Sequence, residues 1–408
     1  MSMRITKNMS STNLLEKLLG TTPVEWRQLG NFVNVKHGKR LVKSQLEPVG
    51  MYPVYQNSMT PLGYYHENNV IGNTTFVICA GAAGEVGYSN TAFWAADDIR
   101  FLETPDYIQN KFLYYYLLTQ QRHILSQVRR ASIPRLSKTV IEKIPVPIPC
   151  PDNLEKSLAI QSKIIHILDK FTELTTELTT ELTIRKKQYE YYRNLLLTFD
   201  TTRKSILDRH PIVRSVKWTT LGNIGRISMC RRIMKSETSD KGDVPFYKIG
   251  TFGGAANAYI SRETFEKYKA TYSYPKKGDI LISAAGTIGR TVIFDGKPAY
   301  FQDSNIVWID NDESIVLNKY LFYYYQLQPW QVSTGSTIAR LYNDNISKTK
   351  VPVPSLKEQK RIVSILDRFD AFCNDIKNGL PHEIALRQKQ YEYYRDFLFR
   401  FPKPQEVP

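Results

Sequence analysis

No apolar run in this sequence approaches the roughly 18–20 residues that a membrane-spanning helix requires. The stretch from Met1 to Gly20 contains no unbroken apolar segment of signal-peptide type. A soluble, cytoplasmic chain is therefore expected. Cysteine is scarce. Cys79, Cys150, Cys230 and Cys373 are scattered, and no CxxC motif for zinc or redox chemistry exists. They read as reduced, mostly buried thiols. The histidines, His37, His66, His123, His166, His210 and His382, are equally dispersed, so no metal site is expected. Acidic residues are also in deficit, 39 against 55 basic ones in 408 residues, which leaves a net charge of +16. Such a balance fits a polyanion partner or a basic surface kept for solubility. With 42% hydrophobic and 23% charged residues the chain is neither disordered nor collagen-like. At about 100–200 residues per domain, its length suits two to four units.

Catalytic signatures are missing too. The chain has no GxxxxGK[ST] loop for nucleotide phosphates. It has no Asn- or Asp-Pro-Pro-aromatic run of the kind amino-methyltransferases use, and no Ser-His-Asp or Cys-His arrangement to nominate. Gly81-Ala82-Ala83-Gly84 weakly resembles a phosphate loop. Its counterpart Gly286-Thr287-Ile288-Gly289 leads into another strand-like run, so both read as strand-connecting turns. Asp279 with Asp295-Gly296-Lys297 loosely imitates a metal-dependent nuclease, and that rival reading stays open here alongside a scaffold that binds only protein.

The sequence does contain a near whole-chain duplication. Val24-Glu25-Trp26 and Leu29-Gly30-Asn31 return as Val216-Lys217-Trp218 and Leu221-Gly222-Asn223, an offset of 192. Tyr52-Pro53-Val54-Tyr55 matches Val244-Pro245-Phe246-Tyr247 at the same offset. Arg135-Leu136 and Val146-Pro147 then match Arg340-Leu341 and Val351-Pro352 at an offset of 205, so the second copy gains thirteen residues near Ser261–Asp279. Each copy ends alike, Gln188-Tyr189-Glu190-Tyr191-Tyr192-Arg193 against Gln390-Tyr391-Glu392-Tyr393-Tyr394-Arg395. Ile167-Leu168-Asp169-Lys170-Phe171 likewise returns as Ile365-Leu366-Asp367-Arg368-Phe369. The order is globular unit, helix, globular unit, helix.

The globular units carry short β-branched and aromatic runs, at Thr74–Ala80, Ile280–Ser283, Arg290–Phe294 and Ile306–Ile309, that read as strands. Tyr107–Thr119 and Leu317–Leu327 read as helices whose tyrosine triplets pack. The fold class is α/β (α+β), with a mostly antiparallel sheet in each unit. Pro145–Pro149 and Val351–Pro354 read as extended hinges, because proline fixes φ and biases its predecessor away from helix. From Leu154 to Phe199 apolar residues recur in threes and fours through Ile164, Leu168, Phe171, Leu174, Leu178, Leu182, Tyr189, Tyr192, Leu196 and Phe199. This is a coiled-coil seam with one narrow stripe. The second copy steps through Ile362, Ile365, Phe369, Phe372 and Ile376, breaks at Asn378-Gly379-Leu380-Pro381, and resumes at Tyr391, Tyr394, Leu398 and Phe401. The two helices are each other's obvious antiparallel partners, which would give an internal pseudo-two-fold axis. Within the first, Thr172–Thr183 is Thr-Glu-Leu-Thr three times.

Cations cluster at equivalent places. Lys36, Lys39, Arg40 and Lys43 cluster in the first unit and Arg226, Arg231, Arg232 and Lys235 in the second, and at the offset of 192 Lys39, Arg40 and Lys43 fall on Arg231, Arg232 and Lys235. Arg122, Arg129, Arg130, Arg135 and Lys138 form a third acid-free group, matched mainly by Arg340. Recurring cations suit two phosphate tracks. Gln56, Asn57, Lys248, Thr251 and Asn257, in turn-rich segments, are candidate base readers.

On these repeats, on Leu356-Lys357-Glu358-Gln359-Lys360-Arg361-Ile362-Val363 and on Asp303-Ser304-Asn305-Ile306, the chain resembles the specificity subunit of type I restriction–modification systems, over Val24 to Phe401. The first unit differs from the commoner wording at Ala131–Arg135, and Ile99-Arg100-Phe101 stands there for the Asp-Ser-Asn-Ile pattern. The resemblance implies a non-catalytic subunit with two target-recognition domains, each reading half of a split site on double-stranded DNA. It implies a flexible arm over 1–22, recognition domains over 23–151 and 204–354, helical spacers over 152–203 and 355–402, and a tail over 403–408. The helices would act as a ruler and dock two methyltransferase (modification) subunits, with Tyr189, Tyr192, Tyr391 and Tyr394 as candidate contacts. Restriction/translocase subunits would join through them. S-adenosylmethionine, ATP and Mg would sit on those partners, with no cofactor on this chain and no membrane contact.

Overall fold

A computed structural model describes residues 23–199, 216–331 and 340–402. The arm and the tail expected from the sequence, and the first residues of the second recognition domain, lie outside them. The chain folds into two compact units. One holds the described residues up to Thr179 with those from Glu383, and the other holds Thr180–His382. These units cut across the segments read from the sequence, because each globular portion keeps helical stretches from two distant parts of the chain.

In the first unit, strands β1 (Val24–Gln28), β2 (Asn34–His37), β3 (Tyr52–Tyr55), β4 (Gly63–Tyr65), β5 (Thr74–Ile78), β6 (Val86–Ser89), β7 (Trp94–Ala95), β8 (Ile99–Glu103) and β9 (Pro145–Pro149) build three small sheets. Their orders are β2-β8-β5-β6, β4-β3-β7 and β1-β9. Every pairing among them is antiparallel except β3 with β7. Thr-Thr-Phe-Val-Ile makes β5 because β-branched and aromatic side chains fit a pleated, buried surface. All five residues are buried, and their alternation splits them between two cores. Val77 faces helix α1 (Asn110–Thr119), whereas Phe76 and Ile78 meet Phe93 and Tyr55 under the small sheet. The four-stranded sheet is thus a middle layer. Short helices α2 (Gln121–Ser126) and α3 (Lys138–Glu142) precede β9, and α4 (Leu154–Leu197) comes after it.

The second unit repeats this plan with β10 (Lys217–Thr220), β11 (Arg226–Ser228), β12 (Val244–Tyr247), β13 (Tyr259–Ile260), β14 (Ile280–Ser283), β15 (Thr291–Ile293), β16 (Tyr300–Phe301), β17 (Ile306–Asp310) and β18 (Lys350–Val353). The sheet orders correspond strand for strand, β11-β17-β14-β15, β13-β12-β16 and β10-β18, and again the parallel pairing joins equivalent strands, β12 and β16. Helix α5 (Leu221–Ile224) comes directly after β10. The thirteen extra residues are accounted for by helix α6 (Arg262–Thr271), capped by Ser261, whose hydroxyl accepts from Thr264 N–H at 3.1 Å. Helices α7 (Asn318–Tyr325) and α8 (Asn343–Lys348) complete the globular part, and α9 (Leu356–Asn374) leads to α10 (Leu380–Leu398), most of which belongs to the first unit.

Pro145–Pro149 and its counterpart are strands, not hinges. Trp26 stands opposite Pro147, and Trp218 opposite Pro352. Proline is tolerated because each lies at the edge of a two-stranded ladder. Helix tyrosines hold these ladders in place: from the triplets, Tyr116 donates to the Pro145 carbonyl and Tyr324 to that of Lys350 at 2.9 Å, and Tyr320, one turn before the second triplet, donates to that of Pro352 at 3.0 Å.

The repeated Leu-Asp of the helices has the same physical use in both units. Asp169 accepts from Tyr115 and pairs with Lys111 at 2.8 Å, while Asp367 accepts from Tyr323 and pairs with Lys319 at 3.2 Å. The helices carry two apolar stripes instead of the expected one. On α9, Ile362, Leu366 and Cys373 are buried in the core that contains the α7 tyrosines. Phe369 lies against Tyr189 and Tyr192 of α4 in an antiparallel seam that also sets Arg185 over Phe372. Ile376, expected in that seam, is exposed. The face presented by each helix is set first by the globular tyrosines and second by the other helix.

Candidate nucleic-acid interface

In the first unit, four loops are tied together at the end of β5. The turn after β5 begins at Gly81, held at φ +77°, where glycine is the cheapest residue. Ala82 N–H donates to the Asn57 carbonyl at 2.9 Å, and Gly81 N–H to that of Pro134 at 3.2 Å. Leu136 N–H reaches the Cys79 carbonyl at 2.9 Å, and Arg129 and Arg135 exchange backbone hydrogen bonds of 2.9 and 3.1 Å. Gln56 and Asn57 are thereby fixed on one side of this turn and the Arg129–Arg135 loop on the other. Gln56 Nε2 donates to Asp98 at 3.5 Å. Lys39 belongs to the same end. Its N–H donates to the Ala95 carbonyl at 2.9 Å, and its own carbonyl accepts from Trp94 Nε1 at 2.9 Å. Lys39, Arg40, Lys43, Arg129, Arg130 and Arg135 are all exposed, and none makes an ion pair among the described residues.

Lys36 does not join them. Its ammonium is 2.6 Å from Glu103, the last residue of β8, at the end of that strand away from the loops. Arg226 is likewise drawn to Asp310 at the far end of β17, 3.5 Å away. Lys138 is paired with Glu142 along α3 at 3.0 Å.

The second unit ties its loops by two backbone bonds that correspond to those of Cys79 with Asp98 and Leu136, and by side-chain bonds of its own. Ala284 N–H donates to the Asn305 carbonyl at 2.7 Å, and Leu341 N–H to that of Ala284 at 2.8 Å. Ile249 N–H donates to Gln302 Oε1 at 2.9 Å, and Arg290 reaches the Phe252 carbonyl at 2.7 Å. Arg231, Arg232, Lys235, Lys248 and Asn257 are exposed. Thr251 spends its hydroxyl on closing its own turn against Lys248 at 3.2 Å. Arg340 donates to the Ser304 carbonyl at 2.9 Å and lies over the Tyr342 ring.

These hydrogen bonds also correct the alignment of the two copies. Cys79 N–H donates to the Asp98 carbonyl as Ala284 N–H does to that of Asn305. The counterpart of Asp303-Ser304-Asn305 is therefore Asp97-Asp98, with Ser304 inserted in a left-handed conformation, φ +54°. Ile99-Arg100-Phe101 is instead the start of β8, so the first unit keeps a polar turn, contrary to the sequence expectation.

The residues of the rival nuclease serve local structure. Asp279 is buried and accepts from Lys276 N–H at 2.7 Å, and burial pushes its carboxyl above the usual range. Asp295 accepts from Lys297 N–H at 2.9 Å within the hairpin turn. Among the described residues no three His, Cys, Asp or Glu side chains converge as a metal-binding set, and no helix is long and apolar enough to cross a membrane. Burial raises the Cys79 thiol to about 11 and that of Cys230 to about 12, so both stay protonated at neutral pH.

The four tyrosines nominated as partner contacts lie in the seams of their own units. Tyr189 is buried and donates to Gln326 at 3.0 Å, which leaves it no surface to offer. Tyr192 stacks on Phe369 at 5.5 Å and Tyr394 on Phe171 at 5.2 Å, while Tyr391 packs edge-on to Tyr115. Tyr192 still leaves 41% of its surface exposed beside the Phe369 ring. Tyr191 and Tyr393 face outward at 62% and 50%. Their position off the apolar stripe was the signal in the sequence.

Comparison with known proteins agrees with this duplication. The family described as type I restriction modification DNA specificity domain matches twice, over residues 22–186 and 215–386. A Haemophilus influenzae protein assigned as a type I restriction enzyme specificity subunit is 47% identical over 96% of this chain and 99% of its own length. The EcoR124I/EcoR124II specificity subunit of Escherichia coli is 33% identical over 98% and 100%. The crystal structure of the type I restriction–modification S subunit from M. genitalium shares the fold, with a TM-score of 0.59 at 19% identity over 94% of this chain and 98% of that one.

Proposed function

The chain belongs to the type I restriction–modification specificity-subunit family, and on that premise we propose that its two loop clusters read the two halves of a split duplex target. The subunit is the non-catalytic, sequence-specifying part of its system. The observation that carries the reading is the recurrence, in both units, of exposed cations on loops bound to one another by equivalent backbone hydrogen bonds. Rigid loops fix where base-reading side chains stand, and exposed cations supply attraction to phosphates.

Two modification subunits dock on the helices, with Tyr191 and Tyr393 as their aromatic contacts, and restriction subunits join through them. The methyl donor, ATP and Mg bind on those subunits, and the assembly works in the cytoplasm. The test is the salt dependence of duplex binding by the full chain assembled with its modification subunits. Charge reversal at Lys39, Arg40 and Lys43 together should flatten the slope of log affinity against log salt by about 0.9 for each phosphate no longer neutralised. An unchanged slope would remove this face from the DNA.

A further inference from the structure

The turn between β16 and β17 gathers two arginines from distant parts of the chain. Asp303 Oδ2 accepts from Arg232 Nε at 2.9 Å, and the Ser304 carbonyl accepts from Arg340 Nη2 at 2.9 Å. Asn305 N–H folds back on the Asp303 carbonyl at 2.6 Å, which stiffens the turn. The Asp303 side chain is 19% exposed and that of Arg232 67%, so the carboxylate is the fixed partner and the guanidinium projects outward. Among the described residues Arg232 is engaged through Nε alone. Its Nη groups stay open as a pair of donors, and an arginine fork is the geometry that matches O6 and N7 of a guanine in the major groove. A free arginine must lose side-chain entropy to present that fork; Arg232 has already lost part of that freedom.

Two further features set this place apart. Arg231 lies 5.3 Å from the centroid of the exposed Tyr272 ring, and together with Arg232, Asp303 and Ser273 they line an open cleft of about 550 Å³. Tyr272 and Ser273 come directly after α6, in the stretch that the first unit lacks. In the first unit the equivalent residues are Arg40 and Asp97. Among the described residues neither forms an ion pair, and Asp97 Oδ1 is buried without a hydrogen bond. The same place in the fold is a fixed fork in one unit and a loose cation in the other.

We propose that Arg232 is a guanine-reading, specificity-determining residue of the second unit and that Asp303 is its positioning residue. This rests on the reading that the loop face meets DNA. Arg231, placed over Tyr272, faces the phosphates beside it.

The test uses the full chain with its modification subunits and the target mapped from methylated bases. Duplexes carry 7-deazaguanine at one guanine at a time, which removes N7 and keeps base pairing. The wild-type complex should lose about tenfold to a hundredfold in affinity at one guanine of one half-site. Arg232→Lys keeps the charge and loses the fork. It should abolish the sensitivity at that guanine with the salt slope unchanged, and Asp303→Asn should reduce it at the same position. The proposal is overturned if Arg232→Lys retains every 7-deazaguanine penalty, if it weakens all duplexes alike with a shallower salt slope, or if no guanine in the target is sensitive. Absence of salt-sensitive duplex binding by the wild-type complex would instead sink the underlying reading of the face.

Discussion

Replacing Gln359 by leucine probes how the globular portion is held on its helix. Gln359 is fully buried near the start of α9. Its Oε1 accepts from Leu317 N–H at 2.9 Å, just ahead of α7, and its Nε2 donates to the carbonyls of Ile315 at 3.0 Å and Pro354 at 2.8 Å. Gln161 does the same work in the first unit, accepting from Gln109 N–H at 2.8 Å and donating to the Tyr107 carbonyl at 2.9 Å. Leucine fits the volume but leaves one donor and two acceptors buried and unpaired. At about 1 kcal/mol each, the low end for an orphaned group, the loss is about 3 kcal/mol. Burial of the leucine methyls offsets about 1 kcal/mol of it. A net loss of about 2 kcal/mol should speed amide exchange of the segment ending in α7 about thirtyfold, as read by hydrogen–deuterium exchange of the intact chain. Unchanged protection at Leu317 and along α7 would refute the reasoning, because it would mean these bonds do not hold the helix start.

Two other perturbations have signs fixed by the structure. The Tyr325 hydroxyl is buried without a hydrogen bond among the described residues, and burial pushes its ionisation well above the usual value. Because the folded value exceeds the unfolded one, this group's contribution is intact below about pH 10 and is lost as pH rises above it. Tyr325→Phe should raise unfolding free energy by about 1 kcal/mol at neutral pH and delay alkaline unfolding, both read by denaturant titration; destabilisation by that amount would contradict the assignment. Removing one Thr-Glu-Leu-Thr unit, Thr176–Thr179, shortens α4 by about 6 Å and rotates the remainder of the helix by about 40°. Methylation mapping should show a changed spacer between unchanged half-sites; altered half-site bases would count against a ruler.

The sequence made the repeat legible because the same packing problem recurs. Asp169 and Asp367, Gln161 and Gln359, and the two tyrosine triplets each perform one task twice, and the strand order is the same in both units. Three things were out of reach. Periodicity finds apolar residues on the helices but not which stripe meets the globular core, so buried Tyr189 passes for a partner contact and exposed Ile376 for a seam residue. A proline run looks extended whether it is free or paired, so β9 passed for a hinge. Ion pairs join residues far apart in sequence, so nothing local showed that Glu103 takes Lys36 from the loop cluster or that Asp303 holds Arg232 within it.

The most direct measurement is sequencing of methylated bases across a genome carrying the modification subunits, with and without this chain. Methylation that depends on the chain should fall in a motif of two short specified blocks separated by a gap of fixed length and no base preference. A single continuous motif, or methylation indifferent to the chain, would contradict the account.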